Sequence, residues 1–410
     1  MNKELNRKFA KLIIECGVNL QENQGLVINA NLEACELVRE IVKAAYERKT
    51  SDVIVNWQDS EISKTVLLNA KAEQLYIKEW QLAKQHHVVD NNYARVSITS
   101  PNPGFMAGVD MSESLKAQRY NAPLTKFAME HTMNNMVQWC VVAYPNVNWA
   151  KKVFPDLEEQ AALEKLYKAI LDASHVSLEN DPLKEWDILN QNMTSINEKL
   201  NDYNFVSLHF RNELGTDLHV GLVEDHIWAG GGEYTSGGVY FNPNIPTEEN
   251  FCMPHNRKIN GIVYSSKPLE YSGDLIEDFY IKFKDGKAVE YDAKKGLDSL
   301  KRLIEFDEGS SSLGEVAIVP YYSPISLSNI LFYNTLFDEN ASCHLALGAS
   351  YVGTNLKDYT KYSEEQLKEH GCNMSHTHVD FMFGTKDMTI IGTKHDGTEV
   401  VIFKDGKYII

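Results

Sequence analysis

The period of the apolar pattern changes along the chain, and that change limits which folds are open to it. Over the first 150 residues, short apolar runs alternate with helical stripes. GLVINA (25–30), DVIVNW (52–57), ARVSIT (94–99) and VQWCVVAY (137–144) read as strands. Leu5, Phe9, Leu12, Ile13 and Cys16 recur at helical spacing, with Gly17 placed to end that helix. Leu37, Ile41, Ala44 and Ala45 make a second stripe, and helix-like sequence returns up to about 86 and again near 111–135. This repeated strand–helix–strand order implies a mainly parallel sheet with helices on its faces. Residues 155–202 are helical in pattern, and strands dominate from NFVSLHF (204–210) onward. FKDGK occurs twice, at 283–287 and 403–407, and Asp-Gly between alternating strands is a hairpin signal. The expectation is an α/β domain with a mainly parallel sheet over 1–200, then an α+β, strand-rich domain over 201–410.

Two domains also suit a length of 410 residues, which exceeds one ordinary core. A net charge of -17 argues against nucleic acid or an anionic membrane as the main partner. It suits a site that concentrates cations, though a solvated acidic surface gives the same number. The N-terminus MNKELNRKFAKLIIECG has no sustained apolar run or small-residue cleavage pattern. No stretch approaches the ~20 apolar residues of a membrane span. A cytoplasmic protein is the expectation. The six cysteines form no CxxC pair and read as buried or free thiols of a reducing compartment. Cys252, Cys343 and Cys372 each fall near a candidate ligand, which leaves a thiolate ligand open. No GxGxxG or GxxxxGK[ST] follows the early strands, so the first half reads as scaffold rather than nucleotide site.

The second half carries chemistry in scattered pieces. They are Glu249 in NPNIPTEENF, Glu315 in SLGEVAIVP, Glu339 and His344 in FDENASCHLALGASY, and His378 with Asp380 in NMSHTHVDFMFG. Each lies in or beside apolar or glycine-rich sequence, where a charge is costly without a partner. Four carboxylates and two imidazoles suit two divalent cations sharing one bridging ligand. A pair about 3.5–4 Å apart can activate one water and polarise one carbonyl. In a strand, His376, His378 and Asp380 share one face, and His344 shares a face with Ala346 and Gly348, which leaves room for a cation. Each piece also has a plain reading. These are a hydrogen-bonded His–Asp pair, a satisfied core histidine, a solvated turn glutamate at 339, a strand-end Glu315, and a helix start at PTEEN. Tyr351 follows a run of small residues and can donate a hydrogen bond to a developing oxyanion, or be an interface aromatic.

Taken together, NIPTEENF, LGEVAIVP, DENASCHLALGASY and HVDFMFG resemble the aminopeptidase T / aminopeptidase S family of metalloexopeptidases, which includes PepS-type enzymes. FAKLIIECGVNLQENQGLVINA, LVREIVKAAYE and AYPNVNWAKKVFPD extend the resemblance over nearly the whole chain. It implies a cocatalytic pair of zinc, cobalt or manganese ions and removal of N-terminal residues from small peptides. It further implies a homodimer whose active sites face an enclosed cavity. The ligands it implies are Glu249, Glu315, Glu339, His344, His378 and Asp380, with Glu315 as bridging or base carboxylate and Tyr351 as catalytic tyrosine. Glu249 is preferred to Glu248 on this similarity alone. Rival readings are another two-metal hydrolase, such as a phosphoesterase or deaminase, and a non-catalytic peptide-binding protein.

Overall fold

Asn2 opens the first helix in the computed structural model, which describes residues 1–106 and 108–410. The Asn2 side chain accepts from the backbone N–H groups of Glu4 and Leu5, satisfying two donors that a helix start leaves unpaired. The helix Lys3–Leu12 buries Phe9, Ala10 and Leu12. The helix Cys35–Glu47 buries the expected Leu37, Ile41, Ala44 and Ala45 stripe.

The chain forms two compact units. One comprises Met1–Ile188 and Gly232–Pro246, the other Leu189–Gly231 and Thr247–Ile410. The first unit holds a four-stranded sheet in the order Val53–Gln58, Leu26–Asn31, Ala94–Thr99, Trp139–Ala143, and every pairing is parallel. Long helices, including Glu79–Asp90 and Ser112–Met133, fill the connections.

The second unit is built on antiparallel strands. A nine-stranded sheet runs in the order Leu269–Tyr271, Asp274–Lys284, Pro254–Tyr264, Asp217–Leu222, Ser207–Arg211, Thr389–Thr393, Glu399–Lys404, Lys407–Tyr408, with Lys287–Lys295 pairing off Asp274–Lys284. Both FKDGK segments are hairpin turns. Asp285 and Gly286 have φ of 48° and 85°, and Asp405 and Gly406 have 50° and 72°. Two consecutive positive φ values twist a two-residue turn to match its strands, and Asp-Gly tolerates them.

A smaller sheet runs His378–Met382, His344–Gly348, Leu313–Ile318, Asn250–Cys252. Leu345, Leu347, Val316, Ile318, Cys252 and Phe381 join one core cluster with Leu208, Phe210, Leu218, Ile259, Phe279 and Ile390 of the larger sheet. That core claims alternate residues of each strand. The residues between them fall on the opposite face. The α/β and strand-rich architectures expected from the sequence are both present.

Candidate metal centre

The opposite face of the small sheet collects the acids and imidazoles. His344 stands across from Ala317, Glu315 from Ala346, Asp380 from Ala346 and His378 from Gly348. Each polar group therefore has an alanine or glycine as a cross-strand neighbour, with Met382 on the other side of His344. Gly348 has φ of +112°, and a Cβ there would come within 2.0 Å of the Thr377 carbonyl oxygen. No other residue lets the two strands meet beside His378 in this way.

The two oxygens of Glu315 point at different imidazoles. Oε1 is 3.4 Å from His344 Nε2, and Oε2 is 3.7 Å from His378 Nε2. His344 Nε2 also lies 3.1 Å from Glu249 Oε2, and His378 Nε2 lies 3.3 Å from Asp380 Oδ1. Two three-residue groups result, Glu249–Glu315–His344 and Glu315–His378–Asp380. In each, the ligand atoms lie within 4.8 Å of one another, and Glu315 belongs to both.

Backbone carbonyls set the imidazole tautomers. His344 Nδ1 is 3.2 Å from the Ser342 carbonyl oxygen, and His378 Nδ1 is 2.7 Å from that of Ala349. A carbonyl only accepts, so each Nδ1 carries the hydrogen. Nε2 is then directed at the carboxylates, which is the arrangement that holds a metal-binding imidazole in place.

Negative charge is in excess here. Glu249 and Glu315 are buried, and Asp380 and Glu339 are partly so. None of the four pairs with a lysine or arginine among the described residues. Burial pushes the Glu315 carboxyl up, with Asp380 and Glu249 adding to it. Burial, then Glu249 and Asp380, pushes Glu339 well above the usual carboxylate range. Burial alone lowers the His344 imidazole, but Glu249 and Glu315 override it and hold it well above its ordinary value. His378 is pushed up to about 9, where pairing with Asp380 outweighs burial. Burial raises Asp380 too, yet its pairing with His378 wins and lowers it. The cluster must be neutralised by protons or by cations. Asp380 Oδ1 is buried, and its 3.3 Å approach to His378 Nε2 lacks hydrogen-bond geometry, as suits an oxygen with a metal ion to bind. Oxygen and imidazole donors without a thiolate fit divalent zinc, cobalt or manganese.

The remaining expected residues lie around this pair of groups. Glu339 sits in the short helix Glu339–Ala341, outside both groups, and lines a cavity of about 280 Å³ with His378 and Asp380. The Tyr351 ring centroid is 4.4 Å from that of His378, and the side chain is 42% exposed. Burial of the phenol and the charge of Glu315 raise its pKa, so it stays a hydrogen-bond donor. His376 lies outside the strand that carries His378. The strand begins at His378, while His376 is exposed and its backbone N–H donates to Asp307. Cys252, Cys343 and Cys372 are buried outside the ligand groups, and burial holds their thiols above the ordinary value.

Sequence reasoning missed Asn340. Its fully buried amide oxygen accepts from the Glu248 backbone N–H at 2.7 Å, and its amide nitrogen donates to the Leu336 carbonyl at 3.2 Å. It thereby ties the Glu248–Glu249 backbone to the Glu339 segment. The only cue was a polar DEN run that also reads as a solvated turn.

Comparison with known proteins identifies the family. The sequence model of the family described as thermophilic metalloprotease (M29) matches residues 2–408. Aminopeptidase AmpS of Bacillus subtilis (strain 168) is 42% identical, over 98% of this chain and 97% of its own. Aminopeptidase 2 of Geobacillus stearothermophilus is 39% identical, over 99% and 98%. The solved structure of wild-type AmpT from Thermus thermophilus superposes with a TM-score of 0.90 at 35% identity and covers 100% of both chains. With the match running nearly end to end, the chain belongs to the M29 family of metalloproteases.

Proposed function

We infer that the chain is a metal-dependent aminopeptidase that hydrolyses the first peptide bond of peptides. Its membership of a metalloprotease family and relatives named aminopeptidases support the reading. The observation that carries the mechanism is the position of Glu315, shared between two groups of potential ligands.

We propose that Glu249, Glu315 and His344 hold one divalent ion, that Glu315, His378 and Asp380 hold a second, and that Glu339 completes the set. Zinc, cobalt and manganese all suit these donors. Ions bound there would lower the pKa of a water toward neutrality and polarise the scissile carbonyl. Glu315, at the centre, relays the proton from the attacking water toward the leaving amine. Tyr351, protonated and open on one side, donates to the oxyanion that develops at the former carbonyl. The remaining carboxylate charge attracts the free α-ammonium of the substrate, which favours cleavage at a chain start.

A homodimer is also proposed. The family resemblance implies it, and Ile62, Leu68 and Met133, each more than 60% exposed in one unit, are apolar groups that a second copy would cover. No helix among the described residues is long and apolar enough to cross a membrane. A cytoplasmic location remains the proposal.

The test strips the purified protein with a chelator, restores single ions, and assays leucine p-nitroanilide, a short free peptide and its N-acetylated form. Ion-dependent release of the first residue from the first two, with no cleavage of the blocked peptide, is expected. Hydrolysis of p-nitrophenyl phosphate in place of these substrates, or no turnover with any ion, contradicts the reading.

A further inference from the structure

The parallel sheet of the first unit has one unusual face. Parallel strands covered on both sides are normally apolar throughout. Here Asn29 stands beside Asn56 on the neighbouring strand, and Val27 beside Arg95 on the other. A cavity of about 530 Å³ lies over this face, between the strands and the helices Glu79–Asp90 and Ser112–Met133. That volume is in the range of small-molecule sites.

The charge in this cavity is uncompensated. Arg95 Nε and Nη2 are sealed from solvent and have no hydrogen-bond partner. Burial alone lowers its guanidinium pKa, with no carboxylate opposing it. Arg95 lines the cavity. Lys84 lines the same space, and its ammonium bonds to the neutral Asn56 side-chain oxygen. An ammonium has three donors, so others remain for a ligand. Among the described residues no Asp or Glu lines the cavity, in a chain with 57 acidic residues against 40 basic ones. Apolar side chains stand at the mouth, where Trp80 is 67% and Met129 62% exposed. A buried cation without a counter-charge is costly, and an anionic ligand removes that cost.

We propose that this cavity binds a small organic anion, with its oxyanion between Arg95 and Lys84 and its compact body against Trp80 and Met129. Carboxylates and phosphate monoesters share the required chemistry. The site shares no residue with the metal centre and does not depend on the peptidase reading.

Titration calorimetry on the full-length holoenzyme tests this with four probes: N-acetylleucine, adenosine monophosphate, inorganic phosphate and hexylamine. Blocking the amine keeps N-acetylleucine from being an aminopeptidase substrate. Saturable binding of N-acetylleucine or adenosine monophosphate, one per chain, is expected, and whichever binds tighter identifies the anion class. Arg95→Met should weaken it at least tenfold, and hexylamine should not bind. Ala128→Phe, which fills the cavity from the Ser112–Met133 helix, should do the same if Arg95→Met fails to fold. Arg95→Met should also keep or raise Tm without ligand, because it removes an unpaired charge; a purely structural arginine would lower it. No saturable binding of either organic anion, binding of inorganic phosphate alone, or binding unchanged in both variants overturns the proposal.

Discussion

Two clusters in the second unit present the same donor types on antiparallel strands, but in opposite electrostatic settings. One is the Glu315-centred pair of groups. The other is His209, Asp217 and His219, whose ligand atoms also lie within 4.8 Å of one another. His209 faces His219 across two strands, with rings stacked 3.7 Å apart. His209 Nε2 is 2.6 Å from Asp217 Oδ1. Arg211, two residues along, places Nε 3.1 Å from His209 Nε2 and 3.8 Å from Asp217 Oδ1. A guanidinium therefore already supplies the positive charge, and Asp217 is 60% exposed. In the Glu315 cluster His344 is 1% and Glu315 6% exposed, and among the described residues none of Glu249, Glu315 and Asp380 pairs with a cationic side chain other than histidine. Donor identity and spacing do not separate these clusters. Burial and unbalanced negative charge do.

Activity should separate them most. Glu315→Ala is expected to reduce kcat by about 10³-fold or more, since it removes the member common to both groups. His209→Ala should change kcat/KM by less than about twofold, because that cluster touches no reacting atom in this account. Equal losses in both variants would break the comparison.

Ion-linked stability comes next. A divalent ion at 100 times its Kd adds about 2.7 kcal/mol per independent site. Added zinc, cobalt or manganese should raise Tm in the wild type and in His209→Ala, but much less in His344→Ala. Calorimetric scans with and without ion measure this. A metal response that disappears in His209→Ala would move the metal centre to the other cluster.

A smaller effect tests the support beneath the first cluster. Asn340→Ala should weaken ion affinity by about 10–100-fold, the usual cost of losing a group that positions ligands. Unchanged affinity in a competition titration would show that the Glu249 backbone needs no such tie.

The smallest expected effect belongs to the exposed cluster. Pairing with His209 outweighs slight burial and lowers the Asp217 carboxyl below its ordinary 3.8. A depressed carboxylate contributes stability that is present above 3.8 and is lost as pH falls through its folded value. Wild type and Asp217→Asn should therefore differ at neutral pH and converge in acid. Screening at this exposed pair keeps the difference under about 1 kcal/mol. A larger gap in denaturant titrations would mean that the cluster stabilises the fold more than its exposure suggests.

Local signals carried far in this sequence. Both FKDGK turns were legible because Asp-Gly accepts two positive φ values that few other pairs do. ARVSIT is a strand over the same six residues, Ala94–Thr99. The shared face of His344, Ala346 and Gly348 follows from strand alternation alone. What failed were local readings that a distant partner overrides. Alternation would also have put His376 with His378, but Asp307, 69 residues away in sequence, captures the His376 backbone N–H, and the strand starts later. Nothing in residues 232–246 signals that they pack with the first unit. Asn340 looked like a turn residue because its partner, the Glu248 N–H, is 92 residues away. Arg95 was passed over in a strand of ordinary scaffold, since the absence of a counter-charge shows only in three dimensions.

The most direct test of a pair of ions sharing one carboxylate is anomalous diffraction from crystals loaded with zinc, cobalt or manganese. Two peaks per chain are expected, on either side of Glu315, one beside Glu249 and His344 and the other beside His378 and Asp380. A single peak there, or density between His209 and His219 with none at Glu315, would contradict the account.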